Sequence, residues 1–184
     1  TFVGLALAFK LAKTEDYKNL QQKTIDNAVA MVDQFQKRGL KVPFGGTNTH
    51  LINIDCRSIK GPDGATLSGD MASRILDVAG LVVNRNTIPG DRSALAPSGI
   101  RLGTPWITQR GFDEAKSREL ADIISDVLLG CEPYFMDVPR KRKPQRRANI
   151  PFELLNDAKL RIRKLALEAG MDFEPVESGY PHFY

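Results

Sequence analysis

One segment rich in glycine and proline holds the residues best suited to chemistry. Residues 84–111, NRNTIPGDRSALAPSGIRLGTPWITQRG, contain four glycines, three prolines and four arginines. Arg101 lies there in a strand-like run between Gly99 and Gly103, which predicts a strand that another group can approach closely. A guanidinium binds a carboxylate through two parallel charge-assisted hydrogen bonds. The pattern indicates either capture of a small anionic substrate or a salt bridge within the fold, and spacing alone leaves both open.

The other polar residues favour structural roles. His50, at the start of a predicted strand, is expected to be a hydrogen-bonded structural histidine rather than a base. Asp91 and Arg92 are expected to form a salt bridge within a loop. The remaining carboxylates of this region are too scattered in sequence to predict a metal site.

The composition predicts a single soluble domain with appendages. The chain has 184 residues, of which 42% are hydrophobic and 26% charged, as in ordinary globular proteins. No apolar run is long enough to cross a bilayer, and Thr1–Leu11 lacks the basic leader of a secretion signal. Cys56 and Cys131 form neither a metal motif nor a disulfide framework, which favours a cytoplasmic location. Because the sequence begins without Met, we expect it to be a piece of a longer protein.

A basic run lies late in the chain. Arg140–Arg147, RKRKPQRR, has six basic residues and no acid, whereas the whole chain has a net charge of +4. Such a run is typical either of a solvated linker or of a surface that binds nucleic acid or an acidic partner. No aromatic residue is interleaved with these charges, so a platform for stacking bases is not expected.

The elements that must position Arg101 follow from periodicity, caps and turn residues. Apolar residues at helical spacing predict four helices: a long one that begins upstream of Thr14 and ends at Gly39, one capped by Asp70, one from Asp113 to Gly130, and one that Pro151 opens. Four short strands are predicted at 41–44, 50–56, 81–83 and 100–107. This order lacks a βαβ repeat. It therefore predicts an α+β fold, with helices packed on a small, mostly antiparallel sheet.

Two motifs in this sequence resemble one enzyme family. Residues 84–112 resemble the signature of serine (glycine) hydroxymethyltransferase, and Gly45–Leu51, GGTNTHL, resembles the Gly-Gly-Thr-Asp-Asn-His-Leu that opens its C-terminal small domain. The resemblance is collinear over about residues 2–131. It implies three parts: an interdomain helix region at 1–39, the small C-terminal domain of an aminotransferase-like, fold type I enzyme at 40–134, and a basic linker with a helical extension at 135–184.

The resemblance also implies a reaction and residue roles. Such enzymes use pyridoxal 5′-phosphate to interconvert serine plus tetrahydrofolate with glycine plus 5,10-methylenetetrahydrofolate. Arg101 matches the arginine that binds the carboxylate of the amino acid, and Asn86 matches an asparagine that contacts the folate. Residues 87–97 would form a loop near the mouth of the site. Ser98, Gly99, Gly103, Thr104 and Arg110 match motif positions whose expected role is structural.

The sequence also departs from the family pattern. It contains no Thr-Thr-His-Lys block, which carries the Schiff-base lysine of the family, so no residue here is assigned to catalysis or to binding the cofactor. The isolated chain is expected to be inactive without its large domain, and the complete enzyme to be a homodimer or homotetramer. Asn48 and Thr49 replace Asp-Asn, and Trp106 replaces a small residue.

The alternative is a small domain that has lost its chemistry and serves as a binding module. Its basic tail would then bind RNA or a protein partner. For the enzyme, by contrast, the expected ligands are small molecules and neither nucleic acid nor membrane is an expected partner.

Overall fold

A computed structural model describes residues 2–139 and 144–170, so Arg140–Lys143 of the basic run and the last part of the predicted extension, 171–184, lie outside the described residues. The described part is α+β, as predicted. Its helices and strands are α1 Phe2–Leu11, α2 Glu15–Lys37, β1 Leu51–Asp55, α3 Gly69–Val78, β2 Asn84–Asn86, β3 Gly99–Gly103, α4 Pro105–Gln109, α5 Glu114–Leu129, β4 Glu132–Met136, β5 Gln145–Asn149 and α6 Phe152–Glu168. Short 3-10 turns occupy Pro43–Gly45 and Cys56–Ser58.

The predicted long N-terminal helix is two helices. Thr14 caps α2 by accepting a hydrogen bond from the Tyr17 amide, as predicted, and its hydroxyl also donates to the Leu11 carbonyl at the end of α1. The continuous helix was therefore a wrong prediction, because a residue in the extended conformation of an N-cap interrupts the helix. All residues of α1 are exposed, although most of them are apolar. Gly39 has the predicted left-handed conformation, with φ of 83°.

The caps of the other helices are mostly as predicted. Asp113 caps α5 by accepting a hydrogen bond from the Lys116 amide at 2.9 Å. The cap of α3 is Ser68 rather than Asp70: the Ser68 hydroxyl accepts from the Met71 amide, and Asp70 lies in the first turn of the helix. An acid there still favours the helix through its dipole.

The first three strands form one antiparallel sheet in the order β1-β3-β2. The predicted strand at 50–56 is confirmed as β1, and the one at 100–107 is confirmed in its first part as β3, whereas those at 41–44 and 81–83 were misplaced. The run at 81–83 is irregular, and pairing with β3 begins only at Asn84. β3 ends at Gly103 because Pro105 lacks an amide hydrogen and opens α4 instead. Of the residues 41–44, only Lys41 forms a bridge, to Asp55, and Pro43 begins the 3-10 turn.

One face of this sheet packs on the helices. Ile52, Ile54 and Ile100 are 1% exposed or less and belong to the hydrophobic core, together with buried side chains of α2, α3 and α5. Because side chains alternate along a strand, the neighbouring residues of β1, β2 and β3 must lie on the opposite face. We call this second surface, which carries Asn53, Asn84, Asn86 and Arg101, the open face.

The C-terminal part forms a hairpin and a helix. β5 begins in the second half of the basic run and pairs with β4, so residues 145–147 of that run lie in a strand, which the sequence did not predict. The Asp63 carboxylate accepts a hydrogen bond from the Phe135 amide at 2.6 Å and so fixes the hairpin to the body. That bond and a second one from the Ala65 amide hold the pKa of Asp63 below its usual value. In α6, Ala158 and Leu165 are buried against the core.

The described ranges contain neither a membrane-spanning helix nor a cluster of metal-binding side chains. None of the helices at 2–139 and 144–170 has the length and apolar character needed to span a membrane. In the same ranges, no three histidine, cysteine or acidic side chains converge as a metal site would require.

Candidate functional site

Arg101 lies at the centre of the open face. It occupies the middle of β3, the central strand, directly opposite Asn53 on one side and Asn84 on the other. Its side chain is half-buried, and among the described residues it makes neither a hydrogen bond nor an ion pair. The salt bridge within the fold, which the sequence left open as an alternative, is therefore not seen in this part of the chain. A half-buried guanidinium without a partner is available to an anionic ligand.

Arg101 also lines an open groove of about 210 Å³. The groove runs along the end of the sheet where β1 begins and β3 ends, and Asn84 contributes to it as well. The other residues that line it are Leu51, Val82, Val83, Leu102 and Gly103.

Asn86 lies on the same face as Arg101. It is opposite Gly99 in the sheet, one strand away from Arg101 and offset by two residues. Its side-chain amide donates hydrogen bonds to Asn53 Oδ1 at 3.2 Å and to the Thr87 carbonyl at 2.8 Å. The structure thus brings together the two residues that the sequence singled out for ligand binding.

Asn53 and Asn84 are two members of this face that sequence reasoning missed. Neither lies next to Arg101 in the sequence. The signal that could have found them is the pairing of β1 and β2 with β3, because residues opposite each other in antiparallel strands share a face. The sequence alone did not reveal this pairing, because the strand bounds that it predicted did not give the register of β1 and β2 on β3.

A buried carboxylate at the other end of β1 anchors the loop beside the site. The Asp55 side chain is only 4% exposed, and its two oxygens accept hydrogen bonds from Arg57 Nε and Nη2, both at 2.9 Å. Burial by itself would raise the pKa of Asp55. The hydrogen bonds and charge of Arg57, with the charge of Lys41, outweigh it and hold that pKa below its usual value.

Arg57 extends this network into the loop at 87–97. Its Nη2 donates to the Pro89 carbonyl at 3.1 Å, and its Nη1 lies 4.0 Å from the Asp91 carboxylate. Asp91 in turn accepts hydrogen bonds from the Ile88 and Ser98 amides, at 3.0 and 2.9 Å. The Asp91 carboxylate therefore binds backbone amides at both ends of the loop and holds these ends together. The salt bridge predicted for Asp91 exists, but its partner is Arg57 rather than Arg92.

The pKa of Asp91 is also below its usual value. Burial acts to raise it, and the hydrogen bonds from Ser98 and Ile88, together with the charge of Arg57, lower it by more. Because Ser98 leads directly into β3 and Ile88 follows β2 closely, the network fixes the strands that carry Arg101 and Asn86.

The turn after β3 is fixed by buried polar side chains. Thr104 is fully buried, and its hydroxyl donates to the Thr24 carbonyl of α2 at 2.7 Å. Asn27 of α2 donates to Thr108 Oγ1 and to the Phe112 carbonyl, both at 2.9 Å. These bonds join α2 to α4 and so set the end of β3. The structural role expected for Thr104 fits this geometry.

Two further motif residues lie away from the open face. Arg110 donates to the Ala166 carbonyl at 2.8 Å, near the end of α6, which agrees with the structural role expected for it. The His50 side chain is exposed and forms no hydrogen bond with the described residues, contrary to the prediction. Only its backbone carbonyl is engaged, by the Thr104 amide at 3.2 Å.

The two cysteines are inert in this geometry. Cys56 and Cys131 are both buried and free. Burial raises the pKa of each thiol to about 12. A thiol that stays protonated near neutral pH is a poor nucleophile, which fits a packing role for both cysteines.

Comparison with known proteins points to one family. The model of the serine hydroxymethyltransferase family matches residues 1–124. The serine hydroxymethyltransferase of Haloarcula marismortui is 44% identical over 126 residues, which cover 68% of this chain and 29% of that protein. The mitochondrial enzyme of Schizosaccharomyces pombe is 43% identical over 128 residues, or 70% of this chain and 25% of the relative.

A third relative extends the match. The probable cytosolic serine hydroxymethyltransferase of S. pombe is 41% identical over 140 residues, 76% of this chain and 29% of the relative. The chain thus spans between a quarter and a third of the length of these curated relatives. Because the family model matches two thirds of its length and these relatives are 41–44% identical to it, the chain belongs to the serine hydroxymethyltransferase family.

Proposed function

We propose that this chain is the C-terminal part of a serine hydroxymethyltransferase. The complete protein would interconvert serine plus tetrahydrofolate with glycine plus 5,10-methylenetetrahydrofolate in the cytoplasm, as a homodimer or homotetramer. Residues 1–39 would connect it to the large domain, 40–134 would form the small domain, and 135–184 a C-terminal extension. The observation that carries the proposal is the guanidinium of Arg101 at the centre of the open face, which has no partner among the described residues.

In this proposal, Arg101 binds the α-carboxylate of serine or glycine. Two parallel hydrogen bonds from one planar group fix both the position and the rotation of a carboxylate. Orientation matters because a well-placed reactant avoids a large part of the entropic barrier of the reaction. An ammonium group at this position would keep the positive charge but could not form the two parallel hydrogen bonds. The half-burial of Arg101 strengthens the interaction relative to one in open water.

Asn86 would bind the folate cosubstrate on the same face. The Arg57–Asp91 network would hold the loop at 87–97 beside it, and this loop would narrow access to the face. Neither role requires a proton transfer by this chain. Its task is to bind and orient both substrates.

Pyridoxal 5′-phosphate would serve as the cofactor and supply the electron sink that stabilises a carbanion at the amino acid. The free guanidinium and the amides of the open face fit the amino acid and the folate. The lysine that joins the cofactor covalently would come from the large domain. We therefore infer that the 184-residue chain is inactive alone.

The test compares arginine variants in the full-length protein. Arg101→Lys should raise KM for serine and lower kcat, with kcat/KM falling at least about tenfold, because a charged hydrogen-bonded pair contributes about 1.5–3 kcal/mol. Urea unfolding of the chain should be nearly unchanged, since Arg101 has no bond within the described residues to lose. Arg85→Met is the matched control: Arg85 is the exposed arginine of β2 and pairs with Asp70 at 2.8 Å. It should leave serine kinetics within about twofold of wild type.

The alternative is a binding module whose basic tail binds RNA or a protein. One observation favours it: β5 places Arg147 and Arg146 directly opposite Tyr134 and Phe135, so aromatic side chains do lie beside basic ones across the hairpin. Wild-type serine kinetics in Arg101→Lys would refute the role of Arg101 in binding the carboxylate. A full-length protein that responds to neither glycine nor tetrahydrofolate would refute the enzyme and favour this module.

A further inference from the structure

The orientation of the Asn86 amide is fixed by its surroundings. Its Nδ2 donates to the Thr87 carbonyl at 2.8 Å. A backbone carbonyl can only accept a hydrogen bond, so the nitrogen of the Asn86 amide, and not its oxygen, must face Thr87. This pairing settles the assignment of nitrogen and oxygen, which the shape of an amide alone does not.

Asn53 accepts a hydrogen bond from the second N–H of the same nitrogen. Asn53 Oδ1 accepts from Asn86 Nδ2 at 3.2 Å. The two residues lie on β1 and β2, the strands that flank β3, and their amides meet across the central strand. With both N–H groups engaged, Oδ1 of Asn86 is its remaining polar atom, and it has no partner among residues 2–139 and 144–170.

We propose that Asn53 is a positioning residue that holds Asn86 with Oδ1 turned to the ligand. The ligand group bound at Asn86 is then a hydrogen-bond donor, such as a ring N–H of a reduced folate. This inference rests on the proposed function. It deepens that function in two respects. Asn86 is assigned as the hydrogen-bond acceptor in the folate contact, and Asn53, which lies outside both family motifs, is assigned as the residue that holds it in that orientation.

Asn53 also lies directly opposite Arg101 in the sheet. Side chains opposite each other in antiparallel strands have their Cβ atoms about 4.5–5.5 Å apart. A carboxylate at position 53 would therefore pair with the guanidinium and compete with the substrate carboxylate. An apolar side chain there would leave Arg101 free and remove the bond to Asn86. The two substitutions at this position should therefore weaken the binding of different substrates: the apolar one that of tetrahydrofolate, and the acidic one that of serine.

The experiment measures both KM values in the full-length enzyme for Asn53→Leu and Asn53→Asp. Asn53→Leu should raise KM for tetrahydrofolate about five- to tenfold, the factor that one neutral hydrogen bond supplies, and leave KM for serine within about twofold. Asn53→Asp still accepts from Asn86, so KM for tetrahydrofolate should stay within about twofold while KM for serine rises about tenfold or more.

Asn149→Leu is the control, because Asn149 is an exposed asparagine of β5 away from the open face. It should change neither KM. The inference is overturned if Asn53→Leu leaves KM for tetrahydrofolate unchanged, or raises both KM values by the same factor, as a general loosening of the sheet would. A wild-type protein without hydroxymethyltransferase activity would instead refute the proposed function, and this inference with it. The two failures are thus distinguishable.

Discussion

Replacing Arg57 by Met should destabilise the chain more than replacing any exposed arginine. Asp55 is 4% exposed, and it would lose both side-chain hydrogen bonds and its nearest positive charge. The backbone amide of Arg57 would remain as a donor at 3.0 Å, and Lys41 Nζ lies 3.7 Å away. The variant thus leaves a buried carboxylate only partly satisfied.

The expected size follows from this geometry. Removing one partner of a buried ion pair costs about 3–5 kcal/mol. Because the Arg57 side chain is 36% exposed and Lys41 partly compensates, we expect the lower limit, about 3 kcal/mol. With a urea m-value of about 2 kcal/mol/M, the midpoint of unfolding should fall by about 1.5 M.

The assay is urea unfolding of the chain at neutral pH, followed by far-ultraviolet circular dichroism. Arg74→Met is the matched control, because Arg74 is 77% exposed and pairs with Asp70 four residues earlier. Such a surface pair contributes about 0.5 kcal/mol or less. If Arg57→Met and Arg74→Met unfold at the same urea concentration, Asp55 does not depend on Arg57, and the reasoning on the loop network fails.

Two further predictions concern acid and the C-terminal helix. Since the pKa of Asp91 is lowered by folding, its contribution to the free energy of unfolding is present above the ordinary value of 3.8 and is lost as pH falls through the folded value. The stability difference between wild type and Asp91→Asn should therefore be largest near pH 6 and shrink below about pH 3.8; a difference that grows in acid would contradict this. Leu165→Ala, at a buried site of α6, should cost about 2–4 kcal/mol in urea unfolding, whereas Leu160→Ala, at an exposed site of the same helix, should cost less than about 1 kcal/mol; equal losses would show that α6 does not pack on the core.

Sequence reasoning located the helices better than the strands. The apolar stripe and the Asp113 cap defined α5 almost to the residue, because both signals are local. The strands depended on partners far away in sequence. The apolar run at 81–83 looked like a strand, yet pairing with β3 begins only at Asn84, opposite Arg101. Three apolar residues in a row carry no alternation from which a register could be read.

The candidate site shows the same division between local and distant signals. Arg101 and Asn86 were found because both lie in one contiguous motif. Asn53 lies more than thirty residues before Asn86 along the chain, and only the register of β1 on β3 brings it to the same face. The Arg57–Asp91 pair was missed for the same reason, and the nearer Arg92 was chosen in its place.

The glycines beside Arg101 let β3 pack closely against neighbouring backbone and side chains. A Cβ at Gly99 would overlap Ile88 Cγ2 and lie 2.9 Å from the Ile54 carbonyl oxygen, so the close approach predicted there is made by the chain's own loop and not by a ligand. At Gly103, a Cβ would lie 3.3 Å from the His50 carbonyl oxygen. Both glycines are therefore used in packing β3 against its neighbours. Since the intervening Ile100 is buried in the core and Leu102 packs against it, Arg101 is the one polar side chain of β3, and among the described residues it has no partner.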